Sequence, residues 1–234
     1  MNVLITGASR GIGRAIAGIF AAQGHHLFLS SRNEKALAEA ATDIALRYPD
    51  AVIHSKAFDL SGVEPAVSLA SWMEGLAGAP DILVNNAGSF EPGSVHNEGV
   101  GVLERQIATN LYSAYHLTRA LLPAMMKSGQ GRHIFNMCSI ASLKAYENGG
   151  AYSISKFALH GFSKNLREEM KPYGIKVTAV FPGATMTDSW NGFDNSSKRI
   201  MEAEDIAKLV FAASQLSLQA CVEEIVVRPQ LGDL

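Results

Sequence analysis

The chain has little cysteine, no long apolar run and almost no excess of charge of either sign. Its two cysteines, Cys138 and Cys221, stand in strand-like apolar stretches without a CxxC or Cys/His grouping, which argues against a disulfide framework or a zinc site and for two buried free thiols. Met1 and Asn2 run directly into VLITG, with no basic leader, long apolar core or small-residue cleavage site. Neither a secretory signal nor a membrane-spanning helix is therefore expected, and the chain reads as cytoplasmic. A formal net charge of -2 with no long basic run gives no footprint for nucleic acid, and the acidic excess is too small to point to a basic partner. No HxxH-like or clustered carboxylate set offers ligands to a metal. Nor does a repeat or low-complexity linker divide the chain. Its 234 residues, 47% hydrophobic and 18% charged, suit one domain around one sizeable core. Small-molecule chemistry is what these exclusions leave.

What is present is an alternation. Short β-rich runs (NVLIT, HLFLSS, VIHSKAF, DILVNNA, HIFNMCS, KVTAVFP, EEIVVRP) are separated by segments with helical apolar spacing, among them 13–24, 33–49, 102–129, 151–174 and 203–216. This is the βα rhythm of a parallel sheet. The expected fold class is α/β, a doubly wound parallel sheet with helices on both faces. Such sheets bind ligands beyond the carboxyl ends of their strands.

Glycine is plentiful, with 21 residues. Three of them lie in Thr6-Gly7-Ala8-Ser9-Arg10-Gly11-Ile12-Gly13, between the first strand and the first helix. There they permit a tight turn and a close backbone approach, while the helix's free N–H groups and dipole favour a phosphate. The spacing differs from GxGxxG, and such a turn also serves as a plain connection or in a methyltransferase-type fold. Further on, Tyr152 and Lys156 lie one helical turn apart in AYSISKFALHGF, placing a phenol beside an ammonium. The cation is expected to lower the tyrosine pKa from its ordinary ~10 toward working pH, the condition for general acid–base catalysis. Tyr and Lys at this spacing also simply decorate helix surfaces. Ser139, where an apolar strand ends, adds a hydroxyl, and its neighbour Cys138 gains interest over Cys221.

Taken together, these residues resemble the short-chain dehydrogenases/reductases in their single-domain form, over nearly the whole chain. TGASRGIG is similar to that family's TGxxxGxG cofactor turn, and Asn85-Asn86-Ala87-Gly88 to its NNAG strand end. Ser139, Tyr152 and Lys156 match its Ser and YxxxK residues in order and spacing. Asn110, in IATNLYSAYHLT, matches the asparagine of its central helix, and Pro182-Gly183 followed by Thr185 and Thr187 resembles its nicotinamide-side PG motif. The resemblance implies a Rossmann-type sheet in one domain, 1–234, and hydride transfer between a nicotinamide cofactor and a small-molecule carbonyl or alcohol substrate. By the same resemblance Tyr152 is the general acid/base and Ser139 its partner on the substrate oxygen. Lys156 holds the nicotinamide ribose and sits beside Tyr152, and Asn110 holds a water linking Lys156 to solvent. A non-catalytic NADP-binding regulator of the same fold is the alternative, although it need not keep Ser139, Tyr152 and Lys156 together. Nucleotide-sugar epimerases and dehydratases share the tyrosine and lysine but usually carry a longer C-terminal domain. The resemblance also implies a homodimer or homotetramer, in which the apolar segments 102–126 and 153–170 pair with their copies across a twofold axis.

Cofactor choice turns on the end of the second strand, where dinucleotide folds place an acid for the ribose 2′-hydroxyl. Here stand Ser31 and Arg32. Arg32 can bind a 2′-phosphate through a forked contact and Arg10 can add a second, so NADP(H) is expected over NAD(H). The alternative is a solvated Arg32 with Glu34 approaching the ribose. Asp59, followed by Leu60 in AFDLSG, resembles the family's acidic residue beside the adenine, and equally reads as a turn or helix cap. The tail departs from many relatives by lacking a glycine pair after the last strand. EEIVVRPQ instead resembles the subgroup acting on 3-hydroxy acids, serine-type substrates and assorted carbonyls. Residues 184–200 are expected to cover the substrate, with Trp190 and Phe193 as an apolar lid or, alternatively, a subunit contact.

Overall fold

Alternation along the strands decides which helices cover which side of the sheet. The structure, a computed structural model, describes residues 1–187, 190 and 192–232. Among these, seven strands run β1 (Asn2–Thr6), β2 (His26–Ser31), β3 (Ile53–Ala57), β4 (Ile82–Asn85), β5 (His133–Met137), β6 (Lys176–Pro182) and β7 (Glu224–Val227). The helices are α1 (Gly11–Ala22), α2 (Glu34–Arg47), α3 (Val63–Ala77), α4 (Val102–Ile107), α5 (Ser113–Lys127), α6 (Gly150–Met170) and α7 (Ala203–Ser214). The strands form one parallel sheet in the order β3-β2-β1-β4-β5-β6-β7. Val3, Ile5, Leu27, Leu29, Val84 and Phe135 point to one face, where they pack with Ile16 and Phe20 of α1, Leu37 of α2 and Val210 of α7. Leu4, Phe28, Leu83, Ile134 and Val177, the intervening positions, point to the other and meet Leu69 of α3, Leu117 and Leu121 of α5 and Leu166 of α6. Both faces of the central strands are covered, so β1, β4 and β6 read largely as apolar runs. The doubly wound single-sheet fold expected from the sequence is the fold observed.

The helical reading differs in two places. α3 is not among the segments read as helical, because its buried stripe includes the small Ala66 and Ala70 while Val67 and Leu76 are exposed on its outer side. That weakens the contrast on which periodicity depends. The segment 102–129 is also not one α-helix, since a π-helical turn, Ala108–Tyr112, joins α4 to α5. Asn110 sits in this turn. No helix among the described residues is long and apolar enough to cross a membrane.

Candidate active site

The strand order reverses at β1, whose neighbours are β2 and β4, and a crevice forms there as in other doubly wound sheets. Its walls are stitched by polar contacts. The Thr6 hydroxyl donates to Val84 O at 3.3 Å and accepts the N–H groups of Asn86 and Ala87 at 3.0 and 2.9 Å. Asn86 Nδ2 donates to Thr6 O and Gly7 O. Gly7 has φ +63°, and a Cβ at Gly13 would stand 2.4 Å from Gly7 O and 2.5 Å from Asn86 Nδ2, so no side chain fits there. Arg10, exposed in the glycine turn beside half-buried Ser9, gives α1 no side-chain cap, leaving the helix's first N–H groups turned toward the crevice. Where a Cβ would extend from Gly11, the Thr187 methyl lies 3.1 Å away, which brings the segment after Pro182 onto the glycine turn. A cradle of backbone donors with no room for side chains fits a dinucleotide pyrophosphate.

On the far side of β1, Ser31 ends β2 and its hydroxyl donates to Asn33 O at 3.3 Å. Asn33 Oδ1 accepts the Ala36 N–H and caps α2, so Arg32 is held on the turn between strand and cap. It is exposed and forms no ion pair with any described residue. Glu34 is also exposed, as the first residue of α2. Asp59 spends one carboxylate oxygen on the Ser61 N–H at 3.1 Å, the turn role that its position allowed. Leu60 follows Asp59. Its side chain is buried with Leu4, Phe28 and Leu83 beneath the sheet, so only its backbone is left to face a ligand.

Beyond the ends of β4, β5 and β6 lies a cavity of about 620 Å³ lined by Ser139, Tyr152, Lys156, Ile12, Asn86, Gly88, Pro182, Gly183, Thr185 and Thr187. Ser139 follows β5 and starts a single 3₁₀ turn, Ile140–Ser142. Its hydroxyl accepts the Ala141 N–H at 3.1 Å while its own N–H donates to Ser142 Oγ at 3.2 Å, a reciprocal cap that fixes the side chain. Tyr152 and Lys156 lie in the first two turns of α6, with the Lys156 Nζ 5.9 Å from the Tyr152 ring centroid. This ammonium donates to Met137 O at 2.8 Å and lies beside Gly88. Asn110 is fully buried. Its amide nitrogen reaches Ser89 O, Gln106 Oε1 and Ser155 Oγ, and its Oδ1 accepts the Ser89 N–H at 2.8 Å. The side chain is a clamp between the π-helical turn, residue 89 and α6.

Burial reverses one expectation. The Tyr152 phenol is pushed up to about 12, with the neighbouring Ser139 hydroxyl pulling weakly the other way, and burial draws the Lys156 ammonium down to about 8. The lysine does not bring the tyrosine toward neutrality in this chain, because desolvation penalises both charged forms at once. Cys138, also buried beside Ser139, is pushed up to about 11 by the same cause and stays a thiol.

Several lining residues carry no motif and escaped the sequence reading, namely Ser89, Phe90, Ile140, Lys144 and Tyr146. Each follows a strand end that did carry one, and that position was the available signal. Phe90 stands edge-on to the Tyr152 ring, with centroids 4.9 Å apart at 80°. Trp190 lines the cavity and packs edge-on against Phe193 at 5.2 Å. The expected cover also includes Asp188, Ser189 and Asn191, which lie outside the described residues.

The short chain dehydrogenase family profile matches residues 1–198. The chain belongs to the short-chain dehydrogenases. This dehydrogenase is 34% identical over 240 residues to a sepiapterin reductase of Chlorobaculum tepidum, covering 99% of this chain and 97% of the relative. It is 32% identical over 226 residues to an uncharacterised oxidoreductase of Staphylococcus saprophyticus, covering 97% and 96%. Among solved structures, a metagenomic short-chain oxidoreductase in complex with NADP superposes with a TM-score of 0.84 at 31% identity, over 98% of this chain and 97% of that one. The activity class is that of an NAD(P)-dependent dehydrogenase or reductase.

Proposed function

We propose that this dehydrogenase is an NADP(H)-preferring enzyme that interconverts a secondary alcohol with a ketone, or a primary alcohol with an aldehyde, with Tyr152 transferring the proton. The observation that carries the reading is the convergence of Tyr152, Ser139 and Lys156 in one cavity wall at the carboxyl ends of the strands. A bound nicotinamide supplies or takes up the hydride. In this reading Gly7, Ser9, Arg10, Gly11, Ile12 and Gly13 hold the pyrophosphate, and Ser31 and Arg32 the 2′-phosphate. Asp59 and the Leu60 backbone flank the adenine. Asn86, Ala87 and Gly88 would line the crevice toward the riboses, Lys156 would bind the nicotinamide ribose, and Pro182, Gly183, Thr185 and Thr187 would hold the nicotinamide. NADP in the metagenomic relative supports this choice.

With its pKa at about 12, Tyr152 stands as a phenol at neutral pH, holding at Oη the proton that carbonyl reduction consumes. Ser139, fixed by its 3₁₀ turn, donates to the same substrate oxygen as negative charge develops there. Asn110, clamping residue 89 to α6, keeps the tyrosine's helix in register with the β4 end. Among the described residues, Lys144 and Lys156 are the charged side chains of the lining, and Phe90, Ile140 and Trp190 supply apolar surface. Neutral or anionic carbonyl compounds with an apolar body suit the described part of this lining.

The test is NADPH oxidation against diketones, ketoesters, aldehydes and 3-keto acids, with Tyr152→Phe as control. This substitution removes the transferable proton and keeps the ring, so kcat should fall ~10²–10⁴-fold while NADPH affinity stays within about threefold. Turnover by the variant close to that of the wild type would reject the assignment.

A further inference from the structure

α6 begins with Gly149 and Gly150, and the helix has no side-chain cap of its own. The missing cap comes from a distant part of the chain. Glu98 Oε1 accepts the N–H of Ala151, the residue before Tyr152, at 2.7 Å. Room for this carboxylate exists because two positions lack a side chain. A Cβ at Gly150, whose φ is +28°, would fall 1.8 Å from Glu98 Oε1, and one at Gly93 would fall 2.7 Å from Glu98 Cγ. Asn148, at φ +60°, is held in the left-handed region beside them. It accepts the Gly93 N–H at its carbonyl and the Ser94 hydroxyl at its Oδ1. The opposite end of the 89–98 segment is fixed by Asn110 and by Gln106, whose amide donates to Ser89 Oγ at 3.1 Å. Between the two anchors Phe90 stands against Tyr152.

We propose that Glu98 is a positioning residue for Tyr152: its carboxylate ties the 89–98 strap to the first turn of α6 and thereby seats Phe90 against the tyrosine ring. The proposal rests on Tyr152 being the proton-transferring residue. Glu98 does not line the cavity, so it acts through the helix and the strap. Releasing the strap lets Phe90 leave the ring and water reach the phenol, and the cost falls on the chemical step rather than on cofactor binding, whose glycine turn and Lys156 are untouched.

The test compares Glu98→Ala and Glu98→Gln in the full-length protein by steady-state reduction, NADPH fluorescence titration, and hydrogen exchange of the peptide spanning 88–100. Glu98→Ala is expected to lower kcat about 10- to 100-fold with the NADPH Kd within about threefold, and to speed exchange across the strap. Glu98→Gln keeps an oxygen that accepts the Ala151 N–H and should restore both readouts to near wild type. Ser94→Ala cuts the bond to Asn148 without touching the cap of α6, and should change both readouts in the same direction by less. Unchanged kcat and exchange in Glu98→Ala would overturn the proposal, as would a Glu98→Gln as impaired as the alanine variant. A parallel loss of NADPH affinity would also overturn it. Should Glu98→Ala not fold, unchanged kcat and exchange in Ser94→Ala overturns it. If the wild type reduces none of the carbonyl compounds, the proposed reaction fails while the exchange measurement still decides whether Glu98 holds the strap.

Discussion

Between Ser31 and the Asn33 cap the chain presents a guanidinium and no carboxylate, and cofactor preference should follow from that one side chain. A bidentate arginine–phosphate contact is worth on the order of 1.5–3 kcal/mol, about ten- to over a hundredfold in affinity. Arg32→Ala should raise the KM for NADPH by such a factor and leave that for NADH nearly unchanged. Equal shifts for both cofactors would refute the contact. A second expectation concerns pH. kcat/KM reports the free enzyme, in which Tyr152 stays protonated to about 12 and Lys156 loses its charge near 8. Reduction should therefore hold level from about pH 6 to 8 and decline above, as the ammonium proposed to bind the ribose is lost. A profile rising through pH 8 would contradict this. At this scale the sequence identifies residue types well and environments poorly. YxxxK in AYSISKFALHGF names the pair, but the direction of the tyrosine's pKa depends on burial, which comes from segments elsewhere in the chain. Leu60 shows the same limit, since position in AFDLSG cannot say that its side chain turns into the core.

Among the elements, the turn between β1 and α1 carries the clearest sequence signal, because its glycines answer to hard steric limits. Gly13 lies inside α1, where alanine is ordinarily the better helix former. Its Cβ would nonetheless collide with Gly7 O. Gly13→Ala should therefore leave the helical circular dichroism intact and weaken NADPH binding at least about tenfold, because the loop must shift. Unaltered binding would mean that the close approach of Gly7 and Gly13 has no part in the cradle. The central strands were legible because both their faces are covered and they are largely apolar, as in β1, β4 and β6. The π-helical turn at Asn110 was not, since IATNLY has ordinary helical spacing and the extra residue is stabilised by contacts to Ser89 and Ser155. The Glu98 cap was equally hidden. A glutamate 53 residues from the helix that it caps has no local pattern.

At the scale of the molecule, two properties follow from groups remote from the cavity. His133, at the start of β5, is 2% exposed, and its Nε2 lies 2.7 Å from Thr178 Oγ1. That hydroxyl gives its own proton to Val222 O, so the histidine carries its proton on Nε2 and leaves Nδ1 buried without a partner. Burial, with Lys176 nearby, holds its pKa down to about 3. Because the folded value lies below the unfolded ~6.5, the unfolded chain binds more protons between the two. Stability should then fall as pH drops from about 6.5 toward 3, by up to about 1.4 kcal/mol per unit from this group. In urea unfolding at pH 7 and pH 4.5, His133→Phe should lose less stability than the wild type over that interval. An equal loss would exclude His133 as a source. Assembly is the second property. Leu103 and Tyr112 near the π-helical turn, and Ile154 and Phe157 on α6, are each 41–46% exposed, and pairing of copies through this surface would cover them. Light scattering at micromolar concentration should give a dimer or tetramer, and Phe157→Glu should shift it toward monomer. A monomeric wild type would end that expectation.

The stitch between Thr6 and the end of β4 also bears on how the chain comes into being. The N–H groups that the Thr6 hydroxyl accepts belong to residues 80 and 81 positions later, several seconds of synthesis at ~5–20 residues per second. Throughout that interval a nascent chain holds β1 with one edge unpaired, the kind of template on which neighbouring chains aggregate. β4 closes that edge as it leaves the ribosome, and the same pairing creates the cofactor crevice. A dinucleotide present during synthesis would therefore meet its binding half only once that edge of β1 had been covered, and by holding β1 and β4 together it would act as a folding aid before it served as a reactant.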